Sequence, residues 1–143
     1  MRKNPIRIAA VLLIAAAVIW AVFRIAVKPH AETPGETNAQ RVEYIRSFGW
    51  ETSNVPTDSE EIRIPARFDE AYTQYNALQK EQGFDLMRYR SCYARKFTYK
   101  ITNYNGADPA VPINVNLIVY DGKIIAADIS SAAANGFVTV LVK

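Results

Sequence analysis

The chain has one cysteine and one histidine among its 143 residues, and this scarcity excludes several classes of function. Cys92 alone cannot form an intrachain disulfide, so the fold must rest on its hydrophobic core. One histidine and one cysteine cannot build a zinc site, which needs several such ligands. His30 lies next to a proline with little to activate, so no Ser-His or Cys-His pair is predicted. The sequence therefore predicts no catalytic residue and no metal site.

Glycine is also scarce, and its positions exclude a phosphate-binding loop. No two glycines are closer than fourteen residues, and each falls after a predicted helix, in a turn or in a loop. A loop that cradles phosphates needs several glycines within a few residues. We therefore predict no cofactor. The six glycines of the chain are Gly35, Gly49, Gly83, Gly106, Gly122 and Gly136.

Acidic residues are missing from the first 31 positions. Five of the seventeen Lys and Arg residues lie there, and all fourteen Asp and Glu residues follow. The formal net charge of +3 therefore comes from the basic N-terminal segment, because the rest of the chain is slightly acidic. Nucleic-acid binding needs a clustered basic surface, so no nucleic-acid partner is predicted.

The N-terminal segment is the longest apolar run of the chain. Residues 8–23 carry no charge, and residues 6–27 would form a helix of ~33 Å, enough to cross a hydrocarbon core of ~30 Å. Three basic side chains precede the run and two close it, which predicts a cytoplasmic N-terminus and an extracytoplasmic domain. Residues 1–27 are interpreted as a single-pass anchor in the cell membrane. The alternative is a cleaved signal peptide, which would make the protein secreted.

The rest of the chain is predicted to be a tether followed by one domain. Residues 28–37 contain two prolines and a glycine without a large apolar side chain, as is typical of a tether. Residues 38–143 have the length of a single domain with one core. Helical spacing predicts a helix over residues 38–48 and a second over 68–82. The second carries an apolar stripe, Phe68, Tyr72, Tyr75 and Leu78.

Strict alternation of apolar and polar side chains predicts the strands. Asp121-Gly122 is a strong signal for a two-residue hairpin turn. The predicted fold is α+β, an antiparallel sheet of four to five strands with two helices packed on one face, preceded by one transmembrane helix. The predicted strands are residues 60–65, 93–103, 113–119, 123–130 and 137–142.

Three segments carry a resemblance to a known family: "RIPARFDEAYTQYNALQKEQGFDLMRY", "FTYKITNY" and "NVNLIVYDGKIIAADIS". Together they resemble DUF4830, a domain of unknown function in small bacterial proteins, in which a single N-terminal membrane segment commonly precedes one such domain. The resemblance covers residues 38–140. It implies architecture and location, and it brings no activity or catalytic residue to this chain. The hairpin alone is also similar to the PepSY type of extracytoplasmic module.

One acidic position does not fit a solvent-exposed surface. Counting back from the hairpin turn pairs Val119 with Ile124 and places Asp128 opposite Val115, on the core side. A carboxylate on that side needs a partner. We predict a small polar pocket there, with a structural ion pair or a solvated end of the sheet as the alternatives. Its residues are Asp128, Arg95, Tyr99, Tyr72 and Tyr75.

The leading functional hypothesis is a non-enzymatic binding module tethered to the membrane, with an envelope protein, a peptide or a wall polymer as its partner. A basic surface of Arg88, Arg90, Lys96 and Lys100 would suit an anionic polymer or lipid headgroups. Three alternatives stay open. They are an enzyme that uses carboxylates and tyrosines with Asp128 central, a PepSY-like regulatory or inhibitory module, and an accessory protein that acts through its membrane helix.

Overall fold

Five antiparallel strands form one sheet, and their order in space follows their order in the sequence. The computed structural model describes residues 32–106, 108 and 110–142, so the predicted transmembrane segment lies outside the described residues. The predicted α+β class is confirmed. The strands are β1 (Asp58–Arg63), β2 (Tyr93–Lys100), β3 (Ile113–Tyr120), β4 (Lys123–Ser131) and β5 (Val138–Thr139). The helices are α1 (Asn38–Ser47), α2 (Glu70–Glu81) and a 3-10 helix (Leu86–Tyr89).

Helix α1 begins at a capping box. Thr37 accepts a hydrogen bond from the Gln40 backbone N–H, and the Gln40 side chain accepts one from the Thr37 N–H. These bonds satisfy two donors that a helix start otherwise leaves without partners. Gly49 follows the helix at a φ of 81°, where glycine avoids the clash of a Cβ.

Helix α2 begins one residue after Asp69, whose carboxylate accepts a hydrogen bond from the Tyr72 N–H at 2.8 Å. An acidic side chain at this end also suits the positive end of the helix dipole. Gly83 follows the helix at a φ of 88°, and the chain turns toward the 3-10 helix. Among the helices of the described residues, none is long and apolar enough to cross a membrane.

The two faces of the sheet are distinguished by the alternation of side chains along β2, β3 and β4. We call the side that carries Tyr99 and Leu117 face A, and the side that carries Ile118 and Asp128 face B. Both faces bury apolar residues, and six consecutive residues of β4, from Ile124 to Ile129, are buried. Strands that are buried on both sides need a layer on each side.

The two helices pack on opposite faces. Val42 and Ile45 of α1 belong to the same buried cluster as the side chains of face A. Tyr72 and Tyr75 of α2 pack against the cluster of face B. The prediction that both helices lie on one face was therefore wrong, because alternation along β3 suggested a single apolar side while β3 and β4 bury residues on both.

A β-bulge interrupts the pairing of β3 with β4. Val119 pairs with Ile124, as the hairpin turn predicted, but the next pair is Ile118 with Ala126. Ile125 is the extra residue on β4, and a bulge of this kind leaves one residue without a partner and increases the local twist.

The bulge shifts every later pair on β4 by one residue. Asp128 pairs with Asn116 and not with Val115, so the predicted register was wrong from this point on. Because successive side chains point to opposite sides, a shift of one residue moves the carboxylate from face A to face B.

The chain before α1 is bonded to the hairpin between β3 and β4. The Gly35 N–H donates to the Gly122 carbonyl at 2.9 Å, and the Ile124 N–H donates to the Thr33 carbonyl at 2.8 Å. A Cβ at Gly35 would lie 2.6 Å from Ile124 Cγ1, so this close approach requires glycine. The described domain therefore includes residues of the predicted tether ahead of α1.

Candidate functional site

Asp128 is a buried carboxylate on face B, with 5% of its surface exposed. The Tyr75 hydroxyl donates to its Oδ2 at 2.7 Å, and Asn116 Nδ2 donates to its Oδ1 at 2.8 Å. These donors come from α2 and β3, while Asp128 comes from β4. The structure thus brings Tyr75 and Asp128 together through a direct bond between a helix and the sheet.

The hydrogen bonds continue across three strands. Asn116 Nδ2 also donates to Ser130 Oγ at 2.8 Å, and Thr98 Oγ1 donates to Asn116 Oδ1 at 2.9 Å. Thr98, Asn116 and Asp128 are direct cross-strand neighbours on β2, β3 and β4. We call Tyr75, Asp128, Asn116, Ser130 and Thr98 the polar network.

Burial controls the electrostatics of this network. It raises the pKa of the Asp128 carboxyl above its usual range, while hydrogen bonds from Asn116 and Tyr75 and the charge of Lys96 act in the opposite direction. Burial and the negative charge of Asp128 raise the pKa of the Tyr75 hydroxyl, which remains a donor at neutral pH. Lys96 also forms an ion pair with Glu60 of β1, so its charge is shared between two carboxylates.

Arg95 and Tyr99 lie on face A, away from Asp128. The Tyr99 hydroxyl is fully buried there, accepts a hydrogen bond from Arg41 Nε at 2.9 Å and donates one to Asn38 Oδ1 at 2.9 Å. Arg95 is exposed to solvent. The prediction that these two side chains share a pocket with Asp128 was wrong, because the bulge places the carboxylate on the other side of the sheet.

Tyr72 lies next to the polar network without joining it. Its ring packs on Phe68 with centroids 4.7 Å apart and on Tyr75 with centroids 6.0 Å apart. Burial raises the pKa of its hydroxyl, which forms no hydrogen bond with another described residue. Tyr72 therefore packs its ring beside the polar network and donates no hydrogen bond to Asp128.

The geometry of the network limits its chemistry. A general acid or base must present an oxygen within hydrogen-bond reach of its substrate. Both oxygens of Asp128 already accept bonds from the protein, and only 5% of the residue's surface is exposed to a substrate. The arrangement is that of a buried network that fixes α2 against the sheet.

Sequence reasoning missed Asn116, Thr98 and Ser130. They alternate with apolar residues along their strands, a pattern that favours a solvent-exposed side. One available signal was that Asn114 and Asn116 share the side of β3 that also carries Ile118, which indicates a second, partly buried face.

A second feature is a groove of about 530 Å³ beside α2. It is formed by the loop before the helix, by the helix itself and by the chain at the 3-10 helix. Three cationic side chains line it, and no carboxylate does. We call it the basic groove. Its main residues are Arg67, Phe68, Ala77, Lys80, Met87 and Arg90.

Within the part of the chain that the structure describes, no three side chains of His, Cys, Asp or Glu lie close enough together to hold a metal ion.

Comparison with protein families places the site within a known domain. Residues 44–129 match the model of the family described as Domain of unknown function (DUF4830). The match covers more than half of the chain, from within α1 to β4, and includes Asp128, Tyr75, Asn116 and the basic groove. No curated protein and no solved structure matches the chain.

Proposed function

Because this chain belongs to the DUF4830 family, we propose that it serves as a membrane-tethered, extracytoplasmic module of the bacterial cell envelope that binds a protein, a peptide or another envelope component. The apolar run at residues 6–27, outside the described residues, supports the tether, because its length suits a membrane span. In this proposal the domain binds its partner and catalyses no reaction.

One observation carries the choice of binding over catalysis. Asp128, the buried carboxylate of the described domain, has both oxygens occupied by donors from the protein. A carboxylate held in this way stabilises the packing of α2 on the sheet. The basic groove, in contrast, presents cationic groups toward open space, as binding sites do.

Cysteine labelling in intact cells tests the location. Cys92 is replaced by serine and the exposed Lys100 by cysteine, and the cells are treated with a membrane-impermeant maleimide. We expect labelling of intact cells to equal labelling after lysis, with a cytoplasmic thiol protein as the control for intact membranes. Labelling that occurs only after lysis would contradict an extracytoplasmic domain.

An exchange of the membrane segment tests whether the function resides in the domain and not in the membrane helix. Residues 6–27 are replaced by an unrelated membrane span of equal length, and the variant is expressed in a strain that lacks the protein. We expect full complementation, because the span supplies attachment in this proposal. Loss of complementation at normal protein level would assign the function to the membrane helix.

The second candidate is an enzyme with Asp128 at its centre. The observation in its favour is the raised pKa of this carboxyl, since carboxyls perturbed by burial occur at active sites. Asp128→Asn separates the two functions. We expect stability and complementation to fall together, because an amide has one acceptor oxygen where the carboxylate has two, so either the Asn116 or the Tyr75 donor loses its acceptor. Loss of complementation at unchanged thermal stability would support the enzyme.

A further inference from the structure

The basic groove combines charge and apolar surface from three segments of the chain. Thr73, Ala77 and Lys80 lie at i, i+4 and i+7 on α2, so they form one stripe along the helix. Arg67 precedes α2 and Arg90 follows the 3-10 helix, and both line the groove. Arg67 and Arg90 therefore lie on one concave surface although more than twenty positions separate them in the sequence.

Two of the three cations have no counter-ion among the described residues. Neither Arg67 nor Arg90 forms an ion pair with a described carboxylate. Lys80 lies 4.0 Å from Asp85, at the limit of an ion pair, and both side chains are partly exposed. The groove therefore presents positive charge that the domain itself leaves largely uncompensated.

The neutral polar groups of the groove are already engaged. The Thr73 hydroxyl donates to the Asp69 carbonyl at 2.7 Å. Asn76 donates to Asp85 and accepts a hydrogen bond from the Leu86 N–H at 2.8 Å. A ligand in the groove would therefore find its polar contacts at the cations, which selects for negative charge.

Apolar side chains complete the groove. Met87 exposes 41% of its surface beside the cations of the groove. Phe68 is half-buried against the cluster of face B, and Ala77 leaves space above the helix because its side chain is small. Methionine adapts its shape to different partners and is frequent on surfaces that bind peptides.

We propose that the basic groove binds an acidic peptide segment with one large apolar side chain, contributed by a partner protein. The acidic groups would pair with Arg67 and Arg90, and the apolar side chain would pack on Phe68 and Met87. This proposal rests on the proposed function, since it names the partner class of the binding module.

The shape and composition of the groove favour a peptide over other anionic partners. A bilayer keeps its apolar chains below the headgroups, so it fits less well to a groove that places cations and apolar side chains side by side. A polyanionic wall polymer has no apolar side chain to cover Phe68 and Met87. An acidic peptide supplies both the charge and the apolar anchor.

The test measures the binding of synthetic peptides to the full-length protein by fluorescence anisotropy. The probe is a fluorescein-labelled peptide of Asp, Glu and Ser with one central Phe. We expect replacement of that Phe by Ser to weaken binding about tenfold, because it removes the apolar anchor. A Lys-based counterpart should not bind, and binding of the acidic probe should weaken as salt is raised.

Two double variants with the same change in net charge locate the site. Arg67→Glu with Arg90→Glu reverses the two unpaired cations of the groove, and Arg46→Glu with Lys100→Glu reverses two exposed cations elsewhere. We expect the groove variant to bind the acidic probe more than tenfold more weakly and the control variant less than twofold. Far-UV circular dichroism and Tm confirm that both variants fold, since all four side chains are exposed.

Three outcomes would overturn the proposal. They are equal binding of the acidic probe by both double variants, binding that is unaffected by the Phe replacement, and groove-dependent binding of phosphatidylglycerol vesicles without binding of the peptide. The last outcome would assign the groove to lipid headgroups. None of them would contradict the proposed envelope location or the role of the domain, because the labelling and segment-exchange experiments test those without the groove.

Discussion

The two faces of the sheet are buried in different ways. On face A, the four side chains of β3 from Ile113 to Val119 are all buried under a cluster that includes α1. On face B, the same strand is apolar at Ile118, near the hairpin, and polar at Asn116, farther along. Face A therefore combines an apolar cluster with hydrogen bonds between Tyr99 and α1, while face B combines packing with a polar network around a buried carboxylate.

This difference teaches how one domain attaches its two helices through different polar groups. Helix α1 contributes apolar side chains such as Ile45 to face A, and its Arg41 and Asn38 form hydrogen bonds with the Tyr99 hydroxyl of β2. Helix α2 presents Tyr75, whose hydroxyl must meet Asp128 at a defined distance. Both helices are thus held in position by hydrogen-bond geometry as well as by burial, and α2 bonds to a buried carboxylate.

The largest expected effect comes from deleting Ile125, which is the bulge residue and is itself buried in the cluster of face B. The pairs beyond the bulge already follow the register that the deletion would impose, so Asp128 stays opposite Asn116 on face B, but a large buried apolar side chain is lost. We expect a loss of stability on the order of 2–5 kcal/mol, as for other large apolar side chains removed from a core. Urea unfolding followed by circular dichroism measures it.

A loop deletion is the control for this experiment. Asn105 lies exposed between β2 and β3, so its removal shortens a connection without changing a strand register. If deletions of Ile125 and Asn105 lower the free energy of unfolding equally, neither the bulge nor the burial of Ile125 contributes to the stability of face B.

A smaller effect is expected for Tyr75→Phe. This substitution keeps the ring but removes the donor to Asp128 Oδ2, which leaves a buried acceptor without its partner. We expect a loss of about 1–3 kcal/mol, measured by thermal unfolding. Tyr72→Phe is the matched control, since its hydroxyl has no described partner, and should change stability by less than about 0.5 kcal/mol. Equal effects of the two substitutions would mean that the ring packing alone holds α2.

The smallest expected effect is a pH dependence that belongs to face B. Burial raises the pKa of Asp128 in the folded state above its value in the unfolded chain, near 3.9. Its stabilising contribution is therefore fully present below the unfolded pKa and is lost as the pH rises through the folded pKa. The groups that face it are Tyr75 from α2 and Lys96 from β2.

To isolate this contribution, the free energy of unfolding is measured for the natural protein and for Asp128→Asn at several pH values between 4 and 7. We expect the stability of the natural protein to fall relative to that of the variant as the pH rises. A constant difference over this range would show that burial does not disfavour the charged form of Asp128.

Much of the fold could be predicted because its signals are local. The capping box at Thr37 and the turn at Asp121-Gly122 depend on a few adjacent residues, and both are present in the structure. The first pair of the hairpin, Val119 with Ile124, was also predicted correctly. These features need no information from distant parts of the chain.

The candidate site was only partly predictable for the same reason. Asp128 stood out because its position was incompatible with a solvent-exposed side, and Tyr75 was among the named donors. Arg95 and Tyr99 were assigned to it by extending the hairpin register without a bulge. A bulge depends on strand twist and packing, so alternation in one strand does not reveal it.

The sequence by itself determined the two α-helices, the first four strands, the hairpin turn and the presence of a buried acid that needs a partner, because spacing and turn chemistry act over a few residues. The last strand is shorter than predicted, and the 3-10 helix was not predicted. Only the tertiary structure decided which face carries Asp128 and that Arg67 and Arg90 line one groove. The physical reason is that a shift of one residue reverses the side of every later residue on a strand, and that only packing brings distant segments together.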